Sequence, residues 1–143
     1  MEAIIGKQFP KKVIPLIDSA KNSIKIVVFD WRWYPQDPAN PVQPFNQALV
    51  RAVRRGVKVQ AVANNDEIVK TLNDCGVVAK RLTSKNLLHC KLMVIDDKIV
   101  VIGSHNYTQS AFTTNFELSV IVETEEIDIK IDNFFNTLFN SYG

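Results

Sequence analysis

Residues 45–82, FNQALVRAVRRGVKVQAVANNDEIVKTLNDCGVVAKRL, hold two helix-then-strand units in succession. Phe45, Leu49 and Val53 recur at helical spacing, and Gly56 stops that helix near Arg55. Residues 57–63 are apolar and β-branched, the composition of a buried strand. Ile68, Val69 and Leu72 mark a second helix over 65–75, and Gly76 precedes a short strand over 77–82. Working upstream, Val13, Ile14, Leu16, Ile17 and Ala20 predict a helix ending near Lys21, with Pro15 in a first turn or at a kink. SIKIVVFD, residues 23–30, predicts another buried strand. This alternation is that of an α/β protein with helices on both faces of a mixed, largely parallel sheet. Downstream the pattern changes. Residues 90–96 and 98–102 form a predicted hairpin turning at Asp96-Asp97, and 116–123 a further strand. Ile127, Ile131, Phe134, Phe135, Leu138 and Tyr142 then share one face of a terminal helix. The expectation is one catalytic domain over 1–143.

Composition narrows the class. The chain has 143 residues, 46% hydrophobic and 22% charged, ordinary for a globular protein. No apolar run approaches the roughly 20 residues of a membrane span, and the first residues show no secretory pattern. Cys75 and Cys90 make no disulfide framework and no zinc-like spacing. A cytoplasmic location is the default expectation. The net charge of +2 is uneven. Residues 1–98 carry 16 Lys and Arg against nine Asp and Glu; residues 99–143 carry one against six. A basic body can meet phosphate, although a plain solvated surface has the same composition.

The chemistry concentrates in residues 89–117, HCKLMVIDDKIVVIGSHNYTQSAFTTNFE. His89, Lys91, Asp96, Gly103, Ser104 and Asn106 stand at the spacing H-x-K-x4-D-x6-G-S-x-N. Six fixed residues at fixed intervals rarely coincide by chance in so short a chain. The pattern resembles the signature of the phospholipase D superfamily. Glu117, 14 residues after Gly103, also falls where the single-motif bacterial endonucleases of that superfamily carry a glutamate. Larger phospholipases carry two motifs, whereas this chain has one.

Residue types support the same chemistry. On a strand, His89 and Lys91 project to one face and Cys90 and Leu92 to the other. Ser104 and Asn106 share a face by the same count, which turns His105 away. A neutral imidazole is a nucleophile for phosphorus, and Lys91 and Asn106 can hold the equatorial oxygens without a metal ion. Glu117 is expected to orient His89 through its far ring nitrogen. The resemblance assigns Ser104 to the phosphoryl oxygens and Asp96, at the hairpin turn, to support. Gly103 is expected to permit a bend or close approach to substrate. Cys90 reads as a small buried hydrophobe.

Residues 31–44, WRWYPQDPANPVQP, contain four prolines and read as a loop outside the end of the first strand. Trp31 and Trp33 can stack on bases and Arg32 can meet phosphate, or the aromatics pack on the body. The sequence therefore implies a phosphodiesterase acting on nucleic acid, DNA or RNA, with no cofactor and no membrane partner. The resemblance implies a phosphohistidine on His89. One motif and one outward histidine per chain further imply a homodimer sharing one site. Two alternatives stand beside this reading: a phospholipid phosphodiesterase or phosphatidyl-transfer enzyme, and a catalytically silent nucleic-acid-binding module.

Overall fold

A computed structural model describes all 143 residues. The order is β1 (Glu2–Ile5), α1 (Gln8–Ser19), β2 (Ser23–Val28), α2 (Val42–Arg54), β3 (Lys58–Ala63), α3 (Asp66–Asp74), β4 (Val78–Arg81), β5 (Lys91–Ile95), β6 (Ile99–Gly103), α4 (Gln109–Thr113), β7 (Leu118–Glu123) and α5 (Ile129–Ser141). The seven strands form one sheet in the order β1-β7-β6-β5-β2-β3-β4. The mixed α/β class is as expected, but the balance within the sheet differs. Only β2–β3 and β3–β4 pair in parallel; β1–β7, β2–β5, β5–β6 and β6–β7 are antiparallel. The helix–strand units of 45–82 build the parallel half, and the hairpin with its following strand builds the antiparallel half.

Strand alternation divides the core in two. Ile24, Ile26 and Val28 of β2 enter the larger cluster with Phe9, Phe45, Leu49 and Leu72 from the helices above. Val27, Leu92, Val94 and Val100 enter a smaller cluster under Phe135 and Phe139 of α5. The central strands are thus covered on both faces, which explains their unbroken apolar runs. Lys25 reaches from β2 to Asp132 of α5 at 2.9 Å and fixes that helix to the sheet.

α5 leaves one end of its face bare. It covers β2, β3, β5 and the Val100–Val122 end of β6 and β7, while on the same face β1 and the Ile102 and Leu118 ends of β6 and β7 lie outside its cluster. Ile5, Ile102 and Leu118 are exposed there, and Phe116 beside them is fully exposed.

Several boundaries move. α2 begins at Val42 rather than Phe45, because Pro44 fits its first turn. α1 begins at Gln8 and carries Pro15 inside. β1 and α4, of four and five residues, were too short to leave a periodic signal. The hairpin turn at Asp96 and Asp97 is confirmed, with φ of 54° at both residues. Those angles suit the tight turn that matches the twist of antiparallel strands.

Candidate active site

The two halves of the motif meet because of where β5 lies. β5 is flanked by β2 and β6. When β6 ends at Gly103, the chain does not turn back. Residues 104–107 cross past the start of β5 and rejoin the sheet beyond β2. There Trp31 and Tyr107 form a parallel bridge, with Arg32 N–H donating to the Tyr107 carbonyl and Tyr107 N–H to that of Asp30. Ser104 and Asn106 are thereby carried over the end of the sheet from which His89 and Lys91 emerge.

His89 is exposed and lies two residues before β5 begins. The Lys91 ammonium lies 3.4 Å from its Nδ1 and 3.3 Å from its Nε2. Phe29 lies beneath both, its ring 5.2 Å from that of His89 and 5.5 Å from Lys91 Nζ. Asn106 Oδ1 accepts from the Asp30 backbone N–H at 3.1 Å. That contact fixes which end of the amide is which, and leaves the Asn106 NH2 as a donor.

The expected alternation holds around these residues. Leu92 is buried in the smaller cluster and Cys90 packs against it, half-buried rather than buried. His105 is buried, stacked on Phe9 at 4.5 Å between ring centres. Its Nδ1 lies 2.7 Å from Ser119 Oγ and its Nε2 lies 2.8 Å from the Gly6 carbonyl oxygen. Both ring nitrogens are engaged, so it is no candidate for a second catalytic histidine.

Four expectations are corrected. Glu117 does not reach His89 within the chain; it accepts from the Ser104 hydroxyl at 2.5 Å and from Asn115 Nδ2 at 3.0 Å. Ser104 spends its one proton on Glu117 and accepts from Leu118 N–H, so it fastens β6 to β7 instead of meeting a phosphoryl oxygen. Gly103 faces the neighbouring strand: a Cβ there would overlap the Cα and Oγ of Ser119. Asp96, expected at the hairpin turn in support, lies at the opposite end of β5 from His89. It accepts from the backbone N–H groups of Lys21, Asn22 and Ser23, stitching the α1–β2 turn to the hairpin. Burial alone would raise its carboxyl pKa, but the three amides outweigh burial and hold it below the ordinary carboxylate value.

The fourth correction concerns the loop. Trp31 is buried, with Nε1 donating to Asn46 Oδ1 at 2.8 Å. It has no free face for a base. The Arg32 guanidinium is held in a two-point pair by Asp30, at 2.8 and 3.3 Å, rather than being free for phosphate. Trp33 is half-buried against the core. The loop is rigid by construction: Asn46 Nδ2 donates to Gln43 and to the Arg32 carbonyl, and Gln43 Oε1 accepts from Tyr34 N–H. Every buried polar side-chain atom in the protein has a partner.

Sequence reasoning missed Phe29 and Asn64. Asn64 Nδ2 donates to the carbonyls of Phe29 and of Leu88, the residue before His89, at 2.9 and 3.0 Å. It closes the gap where β2 and β5 stop pairing. The available signal was position, since both residues follow the carboxyl ends of parallel strands.

Residues 13–139 match the family model described as cardiolipin synthase, PLD-like domain. The chain belongs to this phospholipase D-like family. Among curated relatives, the family member is 30% identical over 105 residues to the mitochondrial cardiolipin hydrolase of Xenopus tropicalis, covering 66% of this chain and 50% of that one. It thus spans about half the length of that relative. Among solved structures it shares the fold of Nuc, a phospholipase D family member from Salmonella typhimurium. The TM-score is 0.81 at 22% identity, over 99% of this chain and 96% of that one. NucT from Helicobacter pylori gives 0.77 at 22% identity, with the same coverage. No group of three or more His, Cys, Asp or Glu side chains is placed to hold a metal ion, and no helix is long and apolar enough to cross a membrane.

Proposed function

We propose that the protein is a nuclease that cleaves nucleic-acid phosphodiester bonds through a phosphohistidine, in a site shared by two copies of the chain. The observation that carries this reading is the exposed His89 imidazole with the Lys91 ammonium 3.3 Å away, while Asn106, anchored through its oxygen to Asp30 at the same end of the sheet, keeps its NH2 end free. His89 of one subunit attacks phosphorus, and Lys91 and Asn106 hold the equatorial oxygens as charge builds on them. The leaving oxygen takes a proton from a second imidazole, and the P–O bond breaks. That second group then removes a proton from water, which attacks the phosphohistidine and frees His89.

A second subunit supplies the second imidazole. The chain has two histidines, and His105 is buried with both nitrogens engaged. The bare sheet face gives the subunits a place to meet. Ile5, Ile102, Leu118 and Phe116 adjoin Ser104 and Glu117, so a two-fold contact there covers apolar surface at the end of the sheet from which His89 emerges. The single-motif chain and the whole-length likeness to Nuc and NucT support nucleic acid as the substrate. The cardiolipin hydrolase relative supports a second reading, a phospholipid phosphodiester, because the same phosphoryl chemistry serves both.

The test is a substrate panel in excess EDTA: labelled single-stranded DNA, duplex DNA, RNA and cardiolipin vesicles. Cleavage of a nucleic acid, abolished in His89→Ala, is expected. Cleavage of cardiolipin alone moves the assignment to the lipid reading. Loss of all cleavage on chelation, restored by Mg²⁺, overturns the metal-independent mechanism.

A further inference from the structure

A groove of about 850 Å³ opens beside the candidate site, between the 31–34 segment, the start of α3 and the α4 region. Such a volume lies within the roughly 300–1,000 Å³ of sites that enclose a small organic ligand. Its walls begin next to residues that touch the catalytic groups. On one side are Asp30, whose N–H fixes Asn106, and Thr108, two residues beyond Asn106. On the other is Asn65, adjacent to the Asn64 that holds Leu88. The groove thus lies along the end of the sheet from which His89 emerges, next to the residues that hold Asn106 and Leu88.

The chemistry of the walls is unsuited to phosphate. Among the lining residues Arg32 is the one cation, and Asp30 already neutralises it. Glu67 adds an unpaired negative charge. The N-terminus of α3, otherwise a favourable place for an anion, carries Asp66 and Glu67 in its first turn, and the Asn65 side chain caps it. What remains is uncharged: the Ser110 hydroxyl, the Thr71 and Thr113 oxygens as acceptors (their protons go to the Glu67 and Gln109 carbonyls), the Gln109 amide NH2 and the indole of Trp33. Hydroxyl and amide groups around a partly exposed aromatic ring match a sugar and a base. The wall is also preformed, because the Gln43–Asn46 network holds residues 32–34 in place.

We propose that this groove is a nucleoside subsite, taking the uncharged sugar and base on one side of the scissile phosphate while excluding further phosphates. The proposal rests on the nuclease reading and deepens it. It predicts selectivity from a nucleoside and not from the length of the phosphate chain.

The test compares three diesters: bis(p-nitrophenyl) phosphate, a dinucleotide, and the same dinucleotide with one base removed. Each is cleaved by wild type, by Trp33→Ala and by Ser110→Trp, which fills the groove from an exposed position on α4. In wild type, removing the base at one of the two positions is expected to lower kcat/KM at least tenfold. Ser110→Trp is expected to lower the dinucleotide-to-aryl-diester ratio of kcat/KM by a similar factor. In that variant removing the base is expected to cost little more, since both changes act on one contact. Trp33→Ala is expected to follow the same pattern. A ratio indifferent to base removal and to both substitutions, with the diesters still cleaved, overturns the subsite alone. Failure of wild type to cleave any of the three overturns the nuclease reading as well.

Discussion

His105 Nε2 lies 2.8 Å from the carbonyl oxygen of Gly6. A carbonyl only accepts, so Nε2 carries the proton and Nδ1 is the acceptor for the Ser119 hydroxyl. The middle residue of the Ser104–Asn106 turn is thereby tied, as a neutral imidazole, to the chain between β1 and α1.

This tie is pH-sensitive. Burial lowers the His105 pKa below the ordinary 6.5, although the Gly6 carbonyl and nearby Glu117 oppose the shift. The unfolded chain therefore binds a proton where the folded chain resists it. Stability from this group is complete above pH 6.5 and declines as pH falls below it. Melting temperature is expected to drop between pH 7 and 5 in wild type, and to drop less steeply in His105→Gln. Equal slopes for the two proteins would remove His105 from the account.

Asp96→Ala is expected to destabilise the fold by about 1–3 kcal/mol, since three backbone amides lose a charged acceptor. The activity of the folded fraction is expected to stay within about twofold of wild type. Its depressed carboxyl acts in a different window from His105. It contributes above about pH 4 and is lost as acid protonates it. Denaturant melts at pH 7 and pH 3, alongside kcat, separate this supporting role from a catalytic one: a large loss of kcat at full folding would contradict it.

Trp31→Ala is expected to cost about 3–5 kcal/mol of stability, the range for truncating a buried aromatic ring. Affinity for single-stranded DNA should be unchanged at a temperature where the variant is folded. A tenfold weaker Kd with an unaltered Tm would instead give Trp31 an exposed stacking role.

Leu118→Lys places a charge on the bare sheet face without removing any contact within the chain's core. It is expected to shift the protein from about twice 16.2 kDa to 16.2 kDa in sedimentation, and to abolish turnover. A monomer that retains full turnover would show that each chain holds a complete site.

Much of this architecture was legible because its signals are periodic. The 45–82 units and the Ile127, Ile131, Phe135 and Leu138 side of the terminal helix could be read from spacing alone, as could the opposed directions of His89 and Cys90; Phe134 and Tyr142, read onto that side, lie exposed, and Phe139, not read onto it, is buried. The short β1 and α4 left no periodic trace, and the antiparallel majority of the sheet depends on pairing partners distant in sequence. The site was legible as a set of residues but not as a division of labour. His89, Lys91 and Asn106 stand at one end of the sheet, whereas Ser104, Gly103 and Asp96 support strands. Spacing records that six residues are fixed, and it cannot distinguish a reacting group from one that crowds a neighbouring strand. The Arg32–Asp30 pair and the Asn46 contact with Trp31 are likewise side-chain events that no periodicity encodes.

The hairpin turn at Asp96-Asp97 has a practical consequence. β5 runs from Lys91 to Ile95, about 16 Å of extended chain, so this turn stands at the rim of the sheet remote from His89. Lys98, just past the turn, is exposed and has no salt-bridge partner. A fluorophore at residue 98 can therefore ride on a rigid sheet as a reporter. It would sense the arrival of a second subunit or a long substrate while leaving the reacting groups untouched.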